Sequence, residues 1–460
     1  MSHVTTRHFT QTLLDRADGI SEQAKAAART LVTDVLGVAI AGADTPEGQI
    51  TLHTMSAPGA AGAGAGACAV PATWQRFDPA TSALITGTMA YSIGLTDTHS
   101  QSITHPGPSV VPTALAIGEL TGASDAEILR AIVLGVETVV RVGAVVNPSH
   151  RARGYHPTAT CNPFGCAVTA SYLLGQGIDQ VLSALGIAGS MAGGLYEFRH
   201  EGSMLMALHG GWPAHSGIKA ALLAGGGFTG PSTVLEGPEG FFRAFADDIR
   251  PEHLAVASQG QPWGIEELAL RPYNACRYAH SGIDALGLIK AEHSPMAADD
   301  VKALTVWTHR TAVEQECEPT SLVSARLSTA FTIALTFIKG PRQDPISAEE
   351  LADNEVQSLL TRTSIREDPR LTALFPREWA CRVVVELTDG QVLDAEVTVP
   401  KGEPGNPLTQ AEQVDKFARL AGARLGRARA ADLATRLLAG AGDPPLNQVV
   451  AMLADGTTAQ

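Results

Sequence analysis

The chain has 460 residues, 45% hydrophobic and 5% aromatic, and a formal net charge of −14. At ~100–200 residues per domain the length allows two or three domains with a large core. The acidic balance argues against nucleic acid or an anionic membrane as a partner, since both need a basic surface. An anionic small molecule stays possible, because a few cations can dominate one pocket. The six cysteines form no CxxC pair and read as free thiols of a reducing compartment. No apolar signal segment opens the chain and no apolar run reaches ~18 residues, so the expected location is the cytoplasm.

In chain order, residues 20–42 predict an amphipathic helix, with Ser21 as N-cap, Ala24, Ala27, Leu31, Val35 and Leu36 at helical spacing, and Gly42 as the stop. The glycine- and alanine-rich patch at 57–67 lacks the lysine of a phosphate loop and reads as a loop beside a short strand. Segments 78–94, 108–122, 125–146, 162–176, 178–195 and 209–226 are apolar, alanine-rich helices, with Asp125 and Asp179 as caps. Several are apolar nearly all round, as in buried helices of a large bundle. Near residue 270 the pattern changes. Segments 301–308, 380–388 and 391–399 are β-rich, and the last two flank Asp389-Gly390, a hairpin signal. Helices 281–292 and 322–339 lie among them, and a proline- and glycine-rich stretch follows at 400–407. Residues 409–440 return to helix. The expected fold is mainly α: a large all-helical domain (1–268), a smaller α+β domain (269–405), and C-terminal helices (406–460) completing the first.

Histidine placement carries the chemical signal. His99 and His105 share a loop between two helices, His156 precedes a helix, and His209 is expected at a helix start. Helix N-termini gather N–H groups that suit carboxylates. A proline after His105 and another after His156 stiffen the backbone there. A neutral imidazole is a natural base for a proton beside a carboxylate. A metal centre is the weaker reading: His99 and His105 are six apart, as are His209 and His215, whereas zinc sites show tighter local pairs.

Seven segments carry a resemblance to the MmgE/PrpD family: GTMAYSIGLTDTH (87–99), THPGPSVVPTALAIGELTG (104–122), GYHPTATCNPFGCA (154–167), ALGIAGSMAGGL (184–195), ALHGGWPAHSGIKAALLAGGGFTGPSTVLEGPEGF (207–241), RPYNACRYAHSGIDAL (271–286) and PKGEPGNPLT (400–409). The family includes 2-methylcitrate dehydratase, cis-aconitate decarboxylase and iminodisuccinate epimerase. The resemblance implies the same two-domain plan, a homodimer, no cofactor and a site between the domains. It implies Asp97, His105 and His156 as the acid–base group, with Thr158, Thr160 and the amides after His156 holding a substrate carboxylate. His209 belongs to the same pocket.

Departures from the family pattern bear on specificity. The usual DFDDTH reads GLTDTH here, with Gly94 and Thr96 in place of aspartates. Met206 replaces a lysine, Arg271 replaces a lysine, and Phe331 replaces a tyrosine. Methionine cannot pair a carboxylate, and phenylalanine has no hydroxyl to donate. A substrate with fewer carboxylates, or with apolar bulk, is therefore expected. Arg199 is the candidate compensating clamp, and Arg277, Lys219 and Tyr278 are further substitutes. The expected activity is a lyase working by proton abstraction next to a carboxylate, with dehydration of a 2-methylcitrate-like hydroxy acid first. Epimerisation or decarboxylation of a related acid is the alternative. A catalytically silent binding protein is the second class.

Overall fold

The structure is a computed structural model that describes residues 5–57, 66–256, 260–293, 295–440, 442 and 444–455. Most of the glycine- and alanine-rich patch (58–65) lies outside the described residues. The fold is mainly α. It divides into two compact units: Met1–Phe198, Met204–Leu268 and Thr409–Gln460 form the larger, and Arg199–Ser203 with Ala269–Leu408 the smaller. The short segment at 199–203 was not expected in the smaller unit. Its Arg199 guanidinium donates to the Gln315 carbonyl at 2.6 Å there.

The helices that build the larger unit's core are α1 (Glu22–Gly42), α2 (Pro79–Ser92), α3 (Gly107–Thr121), α4 (Asp125–Val146), α5 (Pro157–Leu173), α6 (Ile178–Met191) and α7 (Leu205–Gly225). The Ser21 hydroxyl caps α1 by accepting from the Ala24 N–H at 3.1 Å. Two expected caps fall one or two residues away from the observed ones. Ser124, not Asp125, caps α4, in a reciprocal box with Glu127. Asp125 instead accepts from the Leu446 N–H at 2.8 Å. Gly177, not Asp179, opens α6, and Asp179 sits in its first turn, where the helix dipole favours a negative charge.

Helix α2 is buried at every position from Ala80 to Ser92, so it must be packed on all sides. It meets α7 backbone to backbone. A Cβ at Gly210 would lie 2.5 Å from the Gly87 carbonyl oxygen, and one at Gly211 would lie 2.0 Å from that of Leu84. Only glycine permits that approach. The contact sets the ends of α2 and α7, which carry Tyr91 and His209, against each other. The C-terminal helices Gln410–Leu425 and Arg427–Ala439 break at Gly426, whose φ is 79°. Buried Lys416 on the first of them pairs with Asp34 of α1 at 2.5 Å and donates to the Leu95 carbonyl at 2.8 Å. That holds the chain just before Asp97. No single helix among the described residues is long and apolar enough to cross a membrane; α1 with the following helix Pro46–Ser56 passes on length and composition only as a pair bent by 83°.

A two-residue pair, β1 (Cys68–Ala69) and β2 (Arg76–Phe77), belongs to the larger unit. The smaller unit carries a four-stranded sheet of β3 (Val301–Thr308), β4 (Thr363–Glu367), β5 (Cys381–Leu387) and β6 (Val392–Val397), in the order β4-β3-β5-β6. β3 and β4 run parallel and the other pairs antiparallel. Asp389-Gly390 makes the β5–β6 turn, with Gly390 at φ 93° and Glu386 opposite Val392. Helices His280–His293 and Thr329–Lys339 contribute Ile283, Leu286, Phe331 and Ile333 to one apolar core with Leu304, Val306, Val383 and Val385. The helix expected over 322–339 is interrupted: Ser328 ends one segment and caps the next, accepting from the Phe331 N–H at 3.1 Å.

Candidate active site

The segment between α2 and α3 folds as a tight loop. The His99 N–H donates to the Thr104 carbonyl at 2.9 Å, and Ile103 takes a left-handed conformation with φ 55°. A β-branched residue pays for that conformation. The buried Asn147 amide, donating to the Ser102 carbonyl at 2.8 Å, helps hold it. His99 is committed within the loop: Nδ1 accepts from the Ser102 N–H, so Nε2 carries the proton and donates to Glu267 at 3.2 Å.

Asp97 is fully buried. Both its carboxylate oxygens accept from the Gly107 N–H, each at 3.1 Å, so it caps the start of α3. Its carbonyl lies 2.7 Å from His105 Nδ1. A carbonyl only accepts, so the proton sits on Nδ1 and the basic lone pair of His105 is on Nε2. The peptide groups of His105 are held by α5. The His105 N–H donates to the Thr158 hydroxyl at 3.2 Å, and the Asn162 amide donates to the His105 carbonyl at 2.9 Å. The imidazole itself is half-buried.

His156 occupies the N-cap position of α5, and its N–H donates to the Gly194 carbonyl at 3.0 Å. Its Nδ1 is 2.8 Å from His209 Nδ1, and its Nε2 is 3.4 Å from the Tyr91 hydroxyl. One Nδ1 must donate and the other accept, so the two rings share a single proton along that contact. Burial, followed by the neighbours His209, His105, Arg151 and His150, holds His156 well below the usual imidazole range. Burial pushes His209 down to about 4. Both rings are therefore neutral near pH 7. The Tyr91 ring is near both histidines, with centroids 5.5 Å from His105 and 6.1 Å from His156. Tyr196 and Phe198 meet His156 edge-on at 5.0 and 5.3 Å. His105, His156, His209 and Tyr91 thus come from four separate segments to one region of the larger unit.

The other expected site residues fall elsewhere or are engaged differently. The Thr158 hydroxyl serves the His105 backbone. The Thr160 hydroxyl is 2.7 Å from His150 Nε2, in a buried chain that ends on the Phe245 carbonyl. His209 lies within α7 rather than at its start, and Met206 is half-buried in the first turn. Arg271, Arg199 and Phe331 belong to the smaller unit. Phe331 is fully buried in its apolar core, so the ring is packing there. Arg199 lines a cavity of about 310 Å³ with Glu201, Glu314, Glu316, Cys317 and Ser321. Of the further substitutes, buried Arg277 pairs with Glu403, and Lys219 with Asp78 at 3.3 Å. Burial pushes the Cys161 and Cys166 thiols up to about 12, which keeps them from acting as thiolates. No cluster of three or more His, Cys, Asp or Glu side chains suited to a metal ion occurs among the described residues.

Tyr91 and Tyr196 were not singled out from the sequence. A tyrosine ending a helix that is apolar all round needs a partner for its hydroxyl, and that signal was available at Tyr91.

Comparison with known proteins places these features in a family. Residues 14–253 match the model of the MmgE/PrpD N-terminal domain, and residues 273–439 that of the MmgE/PrpD C-terminal domain. A cis-aconitate decarboxylase-like protein oryM of Aspergillus oryzae is 26% identical over 390 residues, covering 77% of this chain and 78% of the relative. The cis-aconitate decarboxylase of Aspergillus terreus is 24% identical over 396 residues, with 80% of each chain covered. The human cis-aconitate decarboxylase is 26% identical over 353 residues, covering 74% of this chain and 72% of the relative.

Proposed function

The chain belongs to the MmgE/PrpD family, and from that premise we propose that it is a lyase transferring a proton at the carbon beside a carboxyl group of a small acid. The reading rests on the tautomer of His105. Its Nδ1–H is committed to the Asp97 carbonyl, which leaves Nε2 as a base on a half-buried ring. A second proton-bearing group is the Tyr91–His156–His209 chain, whose Tyr91 ring also meets His105.

Elimination of water needs both a base and an acid. His105 Nε2 takes the proton from carbon, the carbon–carbon double bond forms, and the carbon–oxygen bond breaks. The leaving hydroxyl departs as water with a proton from the His156 side. Each positioned proton transfer is worth about 10²–10⁴ in rate. The groups that carry these steps are side chains, so the reaction as written draws on no cofactor. A second reading is loss of CO2 from an unsaturated acid, the activity in the names of the relatives. It needs only the acid, to protonate carbon after the carboxylate leaves.

The test is incubation of the purified protein with hydroxy and unsaturated di- and tricarboxylates in deuterated water, followed by NMR. Loss of water gives new vinyl signals, and loss of CO2 a shorter acid with deuterium on carbon. Exchange without net turnover would mean an epimerase. No exchange and no turnover across the panel, from folded protein, would refute the lyase reading and favour a binding protein.

A further inference from the structure

We infer that Asn162 is the positioning residue of the acid–base group, a role that rests on the reading above of His105 as the base. Asn162 lies on α5, the helix that His156 caps, and it is fully buried. Three local features disfavour it there. A proline follows it inside the helix, and the residue before a proline is pushed away from helical conformation. Asparagine is itself a poor helix former. Its Oδ1 is buried and meets no hydrogen-bond partner among the described residues, and a buried acceptor left unpaired is destabilising. Local rules are broken in this way at sites that are held for function.

The function follows from the two amide hydrogens, both of which are used. The Asn162 amide donates to the His105 carbonyl at 2.9 Å and to the Ser109 hydroxyl at 2.9 Å. A carbonyl only accepts, so the atom facing His105 is Nδ2 and the amide has one orientation. The Ser109 hydroxyl, on α3, passes its own hydrogen to the Gly210 carbonyl of α7 at 2.7 Å. Gly210 follows His209 in the chain. The sequence of bonds from the His105 carbonyl through Asn162 and Ser109 to Gly210 therefore ties the base to α5, which His156 caps, and to α7, which carries His209. Thr158, one turn before Asn162 on the same face of α5, accepts from the His105 N–H at 3.2 Å. With Nδ1 on the Asp97 carbonyl at 2.7 Å, His105 is held at its N–H, its carbonyl and its ring. Of these holds, the Asn162 amide also reaches α7, through Ser109. Without it the His105 peptide and ring can drift against the His156–His209 pair, and a misplacement of about 1 Å costs on the order of 10²-fold in rate.

The experiment reads His105 apart from turnover. Proton–nitrogen NMR of protein carrying isotope-labelled histidine reports which ring nitrogen holds the proton, and the His105 signals are identified by their loss in His105→Ala. Wild type should show one tautomer, with the proton on Nδ1. In Asn162→Ala the His105 signals should move toward the average of the two tautomers. Those of His150, whose Nδ1–H donates to the Phe245 carbonyl and whose Nε2 meets Thr160 on the same helix, should stay in place. Asn162→Leu keeps the bulk of the side chain and drops both hydrogens, and it is read in the same way where the cavity left by alanine unfolds the protein. With a turned-over substrate, both variants should lower kcat by about 10- to 100-fold and leave KM within about threefold. Ser109→Ala keeps the His105 contact and cuts the tie to α7, so it should lower kcat by less and leave the tautomer as it is. An unmoved His105 in the folded Asn162 variants overturns the role. So do His105 and His150 shifting together, the mark of a general loosening, and a shifted His105 with an unchanged kcat. A His105 shift in a protein that turns over no substrate upholds the hold on His105 while refuting the lyase. Turnover with an unmoved His105 and an unchanged kcat in the variants does the reverse.

Discussion

Acidification below pH 6.5 should destabilise this protein, and the structure sets the size of the effect. Burial pushes His150, His209 and His309 each down to about 4. In the unfolded chain a histidine titrates near 6.5. Between those values the unfolded state binds protons that the folded state refuses, so stability rises with pH there and is lost as pH falls. From pH 7.5 to pH 5 each such histidine forfeits about 2 kcal/mol, so the three together forfeit about 6 kcal/mol. That is a large share of the roughly 5–15 kcal/mol typical of a folded protein. Carboxylates held low, such as Glu127, add their loss only as pH falls through the carboxylate range. Urea titrations at pH 7.5, 6.5, 5.5 and 5 should show a midpoint falling steadily below pH 6.5. The slope at pH 5 should correspond to uptake of between about two and three protons from these groups on unfolding. A midpoint unchanged from pH 7.5 to pH 5 would mean these histidines are not buried as neutral rings, and the argument for a neutral His156–His209 pair would fall with it.

Three further outcomes are expected. His105→Ala and His156→Ala should each lower turnover by at least about 10² with an unchanged circular dichroism spectrum; near-wild-type rates from both would remove the acid–base assignment. Gly210→Ala places a Cβ 2.5 Å from the Gly87 carbonyl oxygen and should destabilise by about 1–3 kcal/mol in chemical denaturation. Lys416→Met leaves Asp34 buried without its partner and should cost about 3–5 kcal/mol; a Lys416→Met/Asp34→Leu pair should recover most of that.

What the sequence revealed follows from the range of the forces involved. Ser21 ahead of an apolar period, and Asp389-Gly390 between alternating strands, are local signals, and both elements form where they predict. β4 was missed because Thr363–Glu367 is a short polar edge, half-buried and without alternation. The start of α7 was misjudged because Met204 offers no side-chain cap and Pro213 lies inside the helix, while proline in sequence suggests a first turn. At the site, the histidines were visible as residues, but their hydrogen bonds were not. The His156–His209 contact spans 53 positions and depends on the packing of α5 against α7, where a Cβ at Gly217 would lie 2.4 Å from the Cys166 side chain. The protein partners of the Thr158 and Thr160 hydroxyls, the His105 N–H and His150, are hidden in the sequence because they are distant in it or turned in by the fold.

The same electrostatics predict how a ligand would change the site. His156 is kept neutral by burial first, and then by the neighbours His209, His105, Arg151 and His150. A substrate carboxylate beside His156 would add a negative charge to those surroundings. That charge favours the protonated imidazole and raises the pKa of the His156–His209 pair toward neutrality. The substrate would then load the acid that its own reaction consumes, while the empty site stays uncharged and stable. Proton uptake is the observable: the heat of tricarballylate binding at pH 6.5 should vary with the ionisation enthalpy of the buffer, with a slope indicating a fraction of a proton taken up. In His209→Phe the pair is broken and that slope should shrink. A buffer-independent heat in the wild type would separate carboxylate binding from the protonation of His156 and leave the acid without its source of protons.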